Sequence, residues 1–469
     1  MIFFTEDYWM NSKTLRAVTA TGILSFAGIV VETAMNVAFP TLMRDFHVST
    51  SAVQWLTTGY LLVLALVIPT SSFLKRSFKT KSLFVISNLF FILGTVAAML
   101  APSFAIILLG RLIQGIGTGI ALPLMFNIIV EQVPISKTGT VMGFANLIIA
   151  IAPAVGPTMG GFIVKMFGWR VIFLVLLPLL VISLILGMTS ITQKSAIEHL
   201  KFDFISWIIL AIAFSSLVFA TNQASISGWL DWRVIVLLLV SVLAILGFYK
   251  YSKKPHHPLI RTNVLLNWRF DLSTIALMIS QFSILGTSFL LPNFAQLSLH
   301  QNAFVAGLLL LPGTTLGIFL SLLGGKMYDV LGARKPIMLG FSLYAIATLL
   351  FSIFMPKMTI WMIIIFFAIA IMGQAFSSGN TMTSGLHQVE DQFNTDANAV
   401  LNTVQQLAGA LGTSIVATIV AEHQSTVHQI AFGTMTGVRT AFCLLFILQL
   451  IALLFTFLVT QKAAKKNKR

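Results

Sequence analysis

Charge is what this sequence has least of. Only 9% of its 469 residues are Asp, Glu, Lys or Arg, where a soluble domain carries about 25%. Long polar stretches are also missing; those present are loops of about 10–15 residues, so no soluble domain fits between the apolar segments. A single cysteine, Cys443, excludes disulfides within the chain and cysteine-based zinc sites. Acid is scarcer than base, with 14 Asp and Glu against 29 Lys and Arg and a formal net charge of +15. Such a surplus suits nucleic acid only when it gathers on a folded surface. Here it is spread through short loops, where it sets membrane topology, so no nucleic-acid partner is expected. No constellation of nucleophile, acid–base pair or metal ligands appears, which argues against an enzyme, a metal site or a bound cofactor. His256 and His257 sit in a linker and read as surface histidines. His387 and Asp391, in HQVED, lie at a short loop without supporting residues.

What is present is apolar length. Hydrophobic residues make up 57% of the chain, and the mean hydropathy is +0.94. A membrane helix needs roughly 20 apolar residues. Fourteen segments qualify: 17–42, 50–74, 81–101, 103–131, 137–164, 169–191, 204–222, 232–251, 268–296, 303–325, 335–355, 358–383, 395–422 and 438–460. The fold class is an all-α polytopic membrane protein. The first segment lacks a small-residue cleavage site and reads as a retained span. Of the 29 basic residues, 22 fall in the ends and loops of one side and 6 on the other, with Arg111 inside a span. By the positive-inside rule both termini are cytoplasmic, in a cell membrane.

The fifth and thirteenth spans carry a weak repeat. Gly143, Asn146, Ala150 and Pro153 share one face, and Asn402, Gln405, Gly409 and Gly412 do the same 259 positions later. Two six-helix halves with two helices inserted between them give this offset. The expected division is 1–191 for a six-helix bundle, 192–262 for two additional helices and a linker, and 263–469 for a second bundle with a basic tail. Repeats of this kind commonly place a binding site at their interface. The two inserted helices, whose interiors lack ionisable residues, are expected outside it.

In the first span Thr21, Ser25, Gly28, Glu32 and Asn36 fall within one arc at 100° per residue. A charge at mid-membrane costs about 2.5–3.5 kcal/mol on insertion scales, and intramembrane acids mark functional sites. Glu32 is therefore read as a group that binds and releases a proton; the plainer reading is a Glu hydrogen-bonded between helices. In the fourth span, LLGRLIQGIGTGIALP, Arg111, Gln114, Gly115, Thr118 and Leu122 share a face. Arg111 either stabilises a carboxylate across a cavity or fixes its helix to neighbours by hydrogen bonds; the two roles are compatible. The fifth span reads APAVGPTMGG. Pro153 and Pro157 remove backbone donors, while Gly156, Gly160 and Gly161 admit another helix, so this crossing is a candidate gate. GGKMYDVLGARKP follows the tenth span, and its Gly325, Asp329 and Arg334 are candidates for a conformational latch.

These segments together resemble the major facilitator superfamily, and within it the fourteen-span drug:proton antiporters. The carriers are VETAMNVAFPTL, GRLIQGIGTG, AVGPTMGG with GWRVIF, and GKMYDVLGARK, and the likeness covers nearly the whole chain. The resemblance implies two six-helix bundles plus two extra helices, and proton-coupled export of drugs driven by the proton gradient. It makes Glu32, where the family motif normally has Asp, the coupling acid, and Arg111 the fourth-helix Arg. It also makes Gly156, Pro157, Gly160 and Gly161 an antiporter motif. The loop after the second span departs from the family's Gly-x-x-x-Asp-Arg-x-Gly pattern: it reads SFLKRSFKTK, with Lys75 in place of the Asp. The tenth span has no acid between Gly307 and Gly325, which favours hydrophobic monovalent cations or neutral and zwitterionic compounds.

Candidate cavity residues are Ser25, Asn36, Gln114 and Asn146 from the N-half, Gln281 and Gln296 from the ninth span, and Gln374 and Ser378 from the twelfth. Trp55, Tyr60, Phe282 and Phe289 are candidate wall aromatics, since promiscuous sites favour adaptable apolar surface. Expected partners are small hydrophobic substrates, protons and the lipid bilayer, with the chain acting as a monomer. The alternative is a specific exporter or importer of one metabolite on the same fold.

Overall fold

We describe the protein from a computed structural model covering residues 12–461, except 134, 195, 199–200, 254–258, 260–263, 266, 391–392 and 428. The side chains of 135–140, 143, 144, 146, 150, 394, 395 and 461 also lie outside that description. Among the described residues there is no strand. Fourteen helical spans are long and apolar enough to cross a membrane. The N-half spans are α1 (Ser12–Phe46), α2 (Thr50–Ser77), α3 (Thr80–Met99), α4 (Phe104–Gln132), α5 (Ile135–Phe167) and α6 (Arg170–Ser190). Then follow α7 (Phe204–Ser227) and α8 (Trp232–Tyr251). The C-half spans are α9 (Trp268–Leu297), α10 (Ala303–Leu331), α11 (Arg334–Lys357), α12 (Ile360–Leu386), α13 (Asn394–Thr426) and α14 (Ile430–Gln461). Several helices run beyond the apolar segments, because backbone hydrogen bonding continues past the apolar stretch. An even number of spans puts residues 12 and 461 at one end of the bundle, here the terminal end; the opposite is the far end.

Short polar residues start the helices. Side chains of Ser49, Asp203, Asp231, Asn267, Asn302 and Thr359 accept hydrogen bonds from the first turns of α2, α7, α8, α9, α10 and α12. Gly228 and Gly332 end α7 and α10 with φ of +83° and +76°, a conformation that favours glycine. Pro69 interrupts α2, which passes through a 3₁₀ turn at Ile68–Thr70 before resuming.

The packing repeats. In the N-half α1 packs on α4, α5 and α6, and α3 pairs with α4; in the C-half α9 packs on α12, α13 and α14, and α11 pairs with α12. The halves meet where α2 lies on α13, α5 on α10 and α1 on α9. Glycines set the tightest pairs. A Cβ built on Gly94 would lie 2.5 Å from the Gly110 carbonyl oxygen, and one on Gly110 would lie 2.7 Å from that of Gly94. Gly340 and Gly373 repeat the device between α11 and α12, at 2.7 and 2.6 Å. Without a hydrophobic drive between helices in lipid, close backbone approach supplies the packing energy.

The inserted pair departs from a purely peripheral arrangement. α8 packs against α7 with most of its surface left outward. α7, however, packs on both α2 and α13.

The glycine pairs carry a prediction. Gly94→Ala and Gly373→Ala should each destabilise the protein by about 1–3 kcal/mol through overpacking, seen as a lower unfolding temperature in detergent. Gly379→Ala, where no atom lies within 4 Å, should be neutral or stabilising.

Candidate functional site

Glu32 lies 21 residues into the 35-residue α1, so it sits beyond the middle of the helix as measured from the terminal end. Its neighbours on the same arc are buried: Thr21 and Ser25 at 0% exposure and Asn36 at 2%. Asn36 Oδ1 accepts a hydrogen bond from Thr57 of α2 at 2.9 Å. Thr21 turns back to its own helix, bonding the Ala17 and Val18 carbonyls. Glu32 itself is 7% exposed, and among the described residues no hydrogen bond or ion pair reaches its carboxylate. Ser25 Oγ is likewise buried without a partner.

Arg111 is fully buried on α4. Its Nε donates to the Leu56 carbonyl of α2 at 3.0 Å, and its Nη1 donates to Gln114 Oε1 at 2.8 Å. Gln114 passes the connection to Thr95 of α3 at 2.8 Å. The guanidinium lies over the Tyr60 ring, 4.2 Å from its centroid. Tyr60 donates to Thr118 Oγ1 at 2.9 Å, and its hydroxyl lies 3.1 Å from the Gly28 carbonyl of α1. Gly28 permits this because a Cβ there would collide with Thr118. Arg111, Tyr60, Gln114 and Thr118 thus knot α1, α2, α3 and α4 together. Among the described residues Arg111 Nη2 has no hydrogen-bond partner. Glu32 lies within electrostatic reach of both Arg111 and Tyr60, without an ion pair. The site therefore holds a nearly buried carboxylate beside a fixed cation with an unused donor.

The C-half matches this position with a neutral group. Gln374 follows Gly373 as Arg111 follows Gly110, and it accepts a hydrogen bond from Ser280 of α9 at 2.8 Å. Gln281, Phe282 and Ser378 are only partly buried, whereas Phe289 is fully buried. The Phe289 ring meets Phe39 of α1 at 5.9 Å between centroids, and Gln296 donates to the Val37 carbonyl at 3.0 Å. Both residues therefore join the halves.

Three expected cavity residues are used elsewhere. Tyr60 and Gln114 are sealed inside the N-half knot, because Arg111 has to find its acceptors within the protein. Trp55 turns to α7, where its Nε1 donates to Asn222 Oδ1 at 2.8 Å and its ring packs on Phe219. The Asn146 side chain lies outside the described residues. At the start of α9, Arg269 lies over the Trp268 ring, and among the described residues it forms no ion pair with Asp271.

The fifth-span motif sits between two helices. Cβ atoms on Gly156 and Gly160 would strike Thr33 and Ala34 of α1. One on Gly161 would strike the backbone of Ala303 and Phe304 in α10. The Pro157 carbonyl in turn fills the space a Cβ on Gly307 would need. Phe162 meets Phe304 at 5.9 Å, and Lys165 lies over the same ring at 5.8 Å. All these contacts belong to the far half of α5 and α10. Gly307 was missed because a glycine in an apolar run carries no signal until its neighbour is known.

At the terminal end a Cβ on Gly325 would meet no atom within 4 Å, and Asp329 is exposed with no ion pair among the described residues. Arg334 stacks over Phe457 of α14 at 4.8 Å. The degenerate N-half loop is engaged: Lys75 pairs with Glu131 at the end of α4 at 3.0 Å, and Arg76 pairs with Glu198.

A fold of this kind is that of a membrane transporter. The sequence profile of the Major Facilitator Superfamily matches residues 21–413. The chain is 36% identical to "Lincomycin resistance protein LmrB" of Bacillus subtilis (strain 168), covering 93% of each chain. It is 27% identical to "Multidrug resistance protein B homolog" of Mycobacterium tuberculosis (strain ATCC 25618 / H37Rv), over 85% of this chain and 76% of that relative. A bacterial homolog of the human lysosomal transporter Spinster, in an inward-facing and unoccupied conformation, shares the fold with a TM-score of 0.70 at 15% identity, covering 97% of this chain and 99% of that one. The protein belongs to the major facilitator superfamily. Its fourteen spans and its drug-resistance relatives agree with the drug:proton antiporter branch that its motifs resemble.

The knot yields a prediction. Arg111→Lys should lower the unfolding temperature in detergent, with a loss on the order of 1–3 kcal/mol, because an ammonium cannot serve two separated acceptors while lying flat on a ring. A variant as stable as wild type would mean the guanidinium is dispensable to packing.

Proposed function

We propose that the protein exports hydrophobic cationic, neutral or zwitterionic drugs in exchange for protons, by alternating access, with the proton gradient as energy source and no cofactor. The observation that carries this reading is Glu32, an acid without a hydrogen-bond partner among the described residues, buried past mid-helix within electrostatic reach of Arg111. A carboxylate in that setting has two low-cost states: neutral when protonated, or charged when turned towards the guanidinium. The unused Arg111 Nη2 donor is a ready dock for the charged form. Relatives named for lincomycin and multidrug resistance support drugs as cargo and favour this reading over a single-metabolite exporter or importer.

The far-end contacts support an inward-facing resting state. With both termini cytoplasmic, as the basic residues indicate, the α1–α9 and α5–α10 crossings close the outer side of a monomer in the cell membrane. Asp329, without an ion pair among the described residues, belongs to the open inner side and would latch it shut in the opposite state. Small residues make the backbone contacts of the α5–α10 crossing, and aromatic rings pack beside them.

Glu32→Gln should abolish drug efflux driven by an imposed pH gradient in proteoliposomes while leaving drug binding measurable. In the wild type, binding of a cationic drug should weaken as pH falls, because protonation removes the negative charge and competes with the cargo; the Gln variant should lose that dependence. Gradient-driven efflux that persists in the Gln variant would place the proton elsewhere. Gly307→Val should keep the outer crossing from closing, so outward-open molecules dominate in spin-label distance measurements across the far end, and turnover drops at least tenfold.

A further inference from the structure

The inserted helix α7 is bonded to both halves, but in unequal ways. On the N-half side, Trp55 holds Asn222 near the far end, and Trp207 Nε1 donates to the Leu66 carbonyl of α2 at 2.9 Å near the terminal end. The segment leading into α7 is strapped to the same half. The Glu198 amide donates to the Arg76 carbonyl at 2.7 Å, and its carboxylate pairs with Arg76. Gln193 accepts from the Thr80 amide at 2.8 Å, Gln132 donates to the Thr192 carbonyl at 2.9 Å, and Phe202 packs on Phe73 at 4.8 Å. Strap and helix together bond α7 to the N-half at both its ends, although α7 itself packs more extensively on α13 than on α2.

On the C-half side, the polar contacts are hydroxyls at one level. Ser414 Oγ of α13 lies 2.7 Å from Thr221 Oγ1, and Thr418 Oγ1 shares its proton between the Ser414 carbonyl of its own helix at 2.9 Å and the Thr221 carbonyl at 3.1 Å. Each hydroxyl has one proton, which fixes the direction. Thr221 gives its proton to the Val218 carbonyl at 2.7 Å, so Ser414 donates to Thr221. Gln54 Nε2 of α2 lies 3.5 Å from Ser414 Oγ, completing a relay from α2 through α13 to α7. Thr221, Ser414, Thr418 and Gln54 are each at most 2% exposed. Thr58 and Thr413, 3.0 Å apart, continue the seam between α2 and α13.

From this asymmetry we propose that α7 is an outer latch. It travels with the N-half, and its Thr221 clasps Ser414 and Thr418 of α13 when the far end is closed and releases them when it opens. The inference rests on the alternating-access reading above. It assigns Thr221, Ser414 and Thr418 as positioning residues that set how much of the protein rests with the far end shut. When the halves part at α2–α13 to open that end, the tryptophan bonds and the strap hold α7 to the N-half, so it leaves α13. Its hydroxyl contacts therefore have to break within a buried layer, where water is not at hand to replace them.

The test uses full-length protein in nanodiscs, with Cys443→Ser as background and three spin-label pairs at exposed positions. Arg44–His300 spans the halves at the far end, Leu100–Ile226 links the residue just past α3 to α7, and Ile226–Ser425 links α7 to α13. As pH is varied, the first and third distances should show the same short and long populations, and the second should stay single. Thr221→Val, which keeps the volume and removes the hydroxyl, should raise the long-to-short ratio of the first pair about two- to tenfold, the range one hydrogen bond spans. Thr418→Val should act in the same direction, and Thr221→Ser should restore the wild-type ratio. Two populations in the wild type with an unchanged ratio in both Val variants would overturn the latch while leaving alternating access intact. The latch also fails, with alternating access again intact, if Leu100–Ile226 splits while Ile226–Ser425 stays single. One population for the first pair at every pH would overturn both readings.

Discussion

A lipid interior offers no water to a stray polar group, and that constraint orders this structure. Most hydroxyls meet it locally. Thr33, Thr348 and Thr460 bond carbonyls one turn back on their own helices, which satisfies the group and ties nothing to its neighbours. Others reach across, as Ser87 does to the Gly117 carbonyl and Ser183 to the Ala20 carbonyl. Arg111 is the extreme case. Its acceptors have to come from α2 and its own helix, and its flat face has to rest on Tyr60. That one demand draws four helices of the N-half into register around Glu32. The C-half, with Gln374 at the matching place, needs only Ser280 to answer it. Charge is thus concentrated in one half and neutral hydrogen bonding in the other.

Where polar groups do not set the contact, glycine does. The α3–α4 and α11–α12 pairs use it within each half, where backbone meets backbone and no sliding is needed. The α5–α10 crossing uses it between halves, with Gly161 against Ala303 and Gly307 against Pro157. The same chemistry suits both tasks for one reason. A glycine contact has close complementarity and no long side chain to unthread, so it is firm when closed and offers little resistance to parting. The α2–α13 seam differs in kind. Its hydroxyls and amides hold by directed bonds, and α7 joins that seam from outside.

The Lys75 substitution shows how a broken motif is accommodated. A base where the resembled family has an acid needs a carboxylate from elsewhere, and Glu131 at the end of α4 supplies it. The neighbouring Arg76 finds its own in Glu198, on the segment that leads to the inserted helices. The loop is therefore tied to its own half and to the strap, whereas Asp329 in the other half carries no such tie among the described residues.

The sequence by itself determined the number of helices, their order and the acid at the centre. Apolar length is a one-dimensional quantity, and the penalty for an intramembrane charge can be read from a single position. Fourteen apolar runs became fourteen helical spans, and Arg111 came out buried and hydrogen-bonded, one of the two roles its position suggested. Tertiary structure alone decided which neighbour each polar face meets. Tyr60 and Gln114 point into the knot because Arg111 lies there, and Trp55 points to α7 because Asn222 is within reach. Gly307 matters only because Pro157 crosses it. The plain apolar look of α7 concealed Thr221 and Asn222, uncharged groups whose partners lie 193 and 167 residues away along the chain. Partner choice depends on helix rotation and crossing, which are set by packing among many helices at once, and no local pattern encodes them.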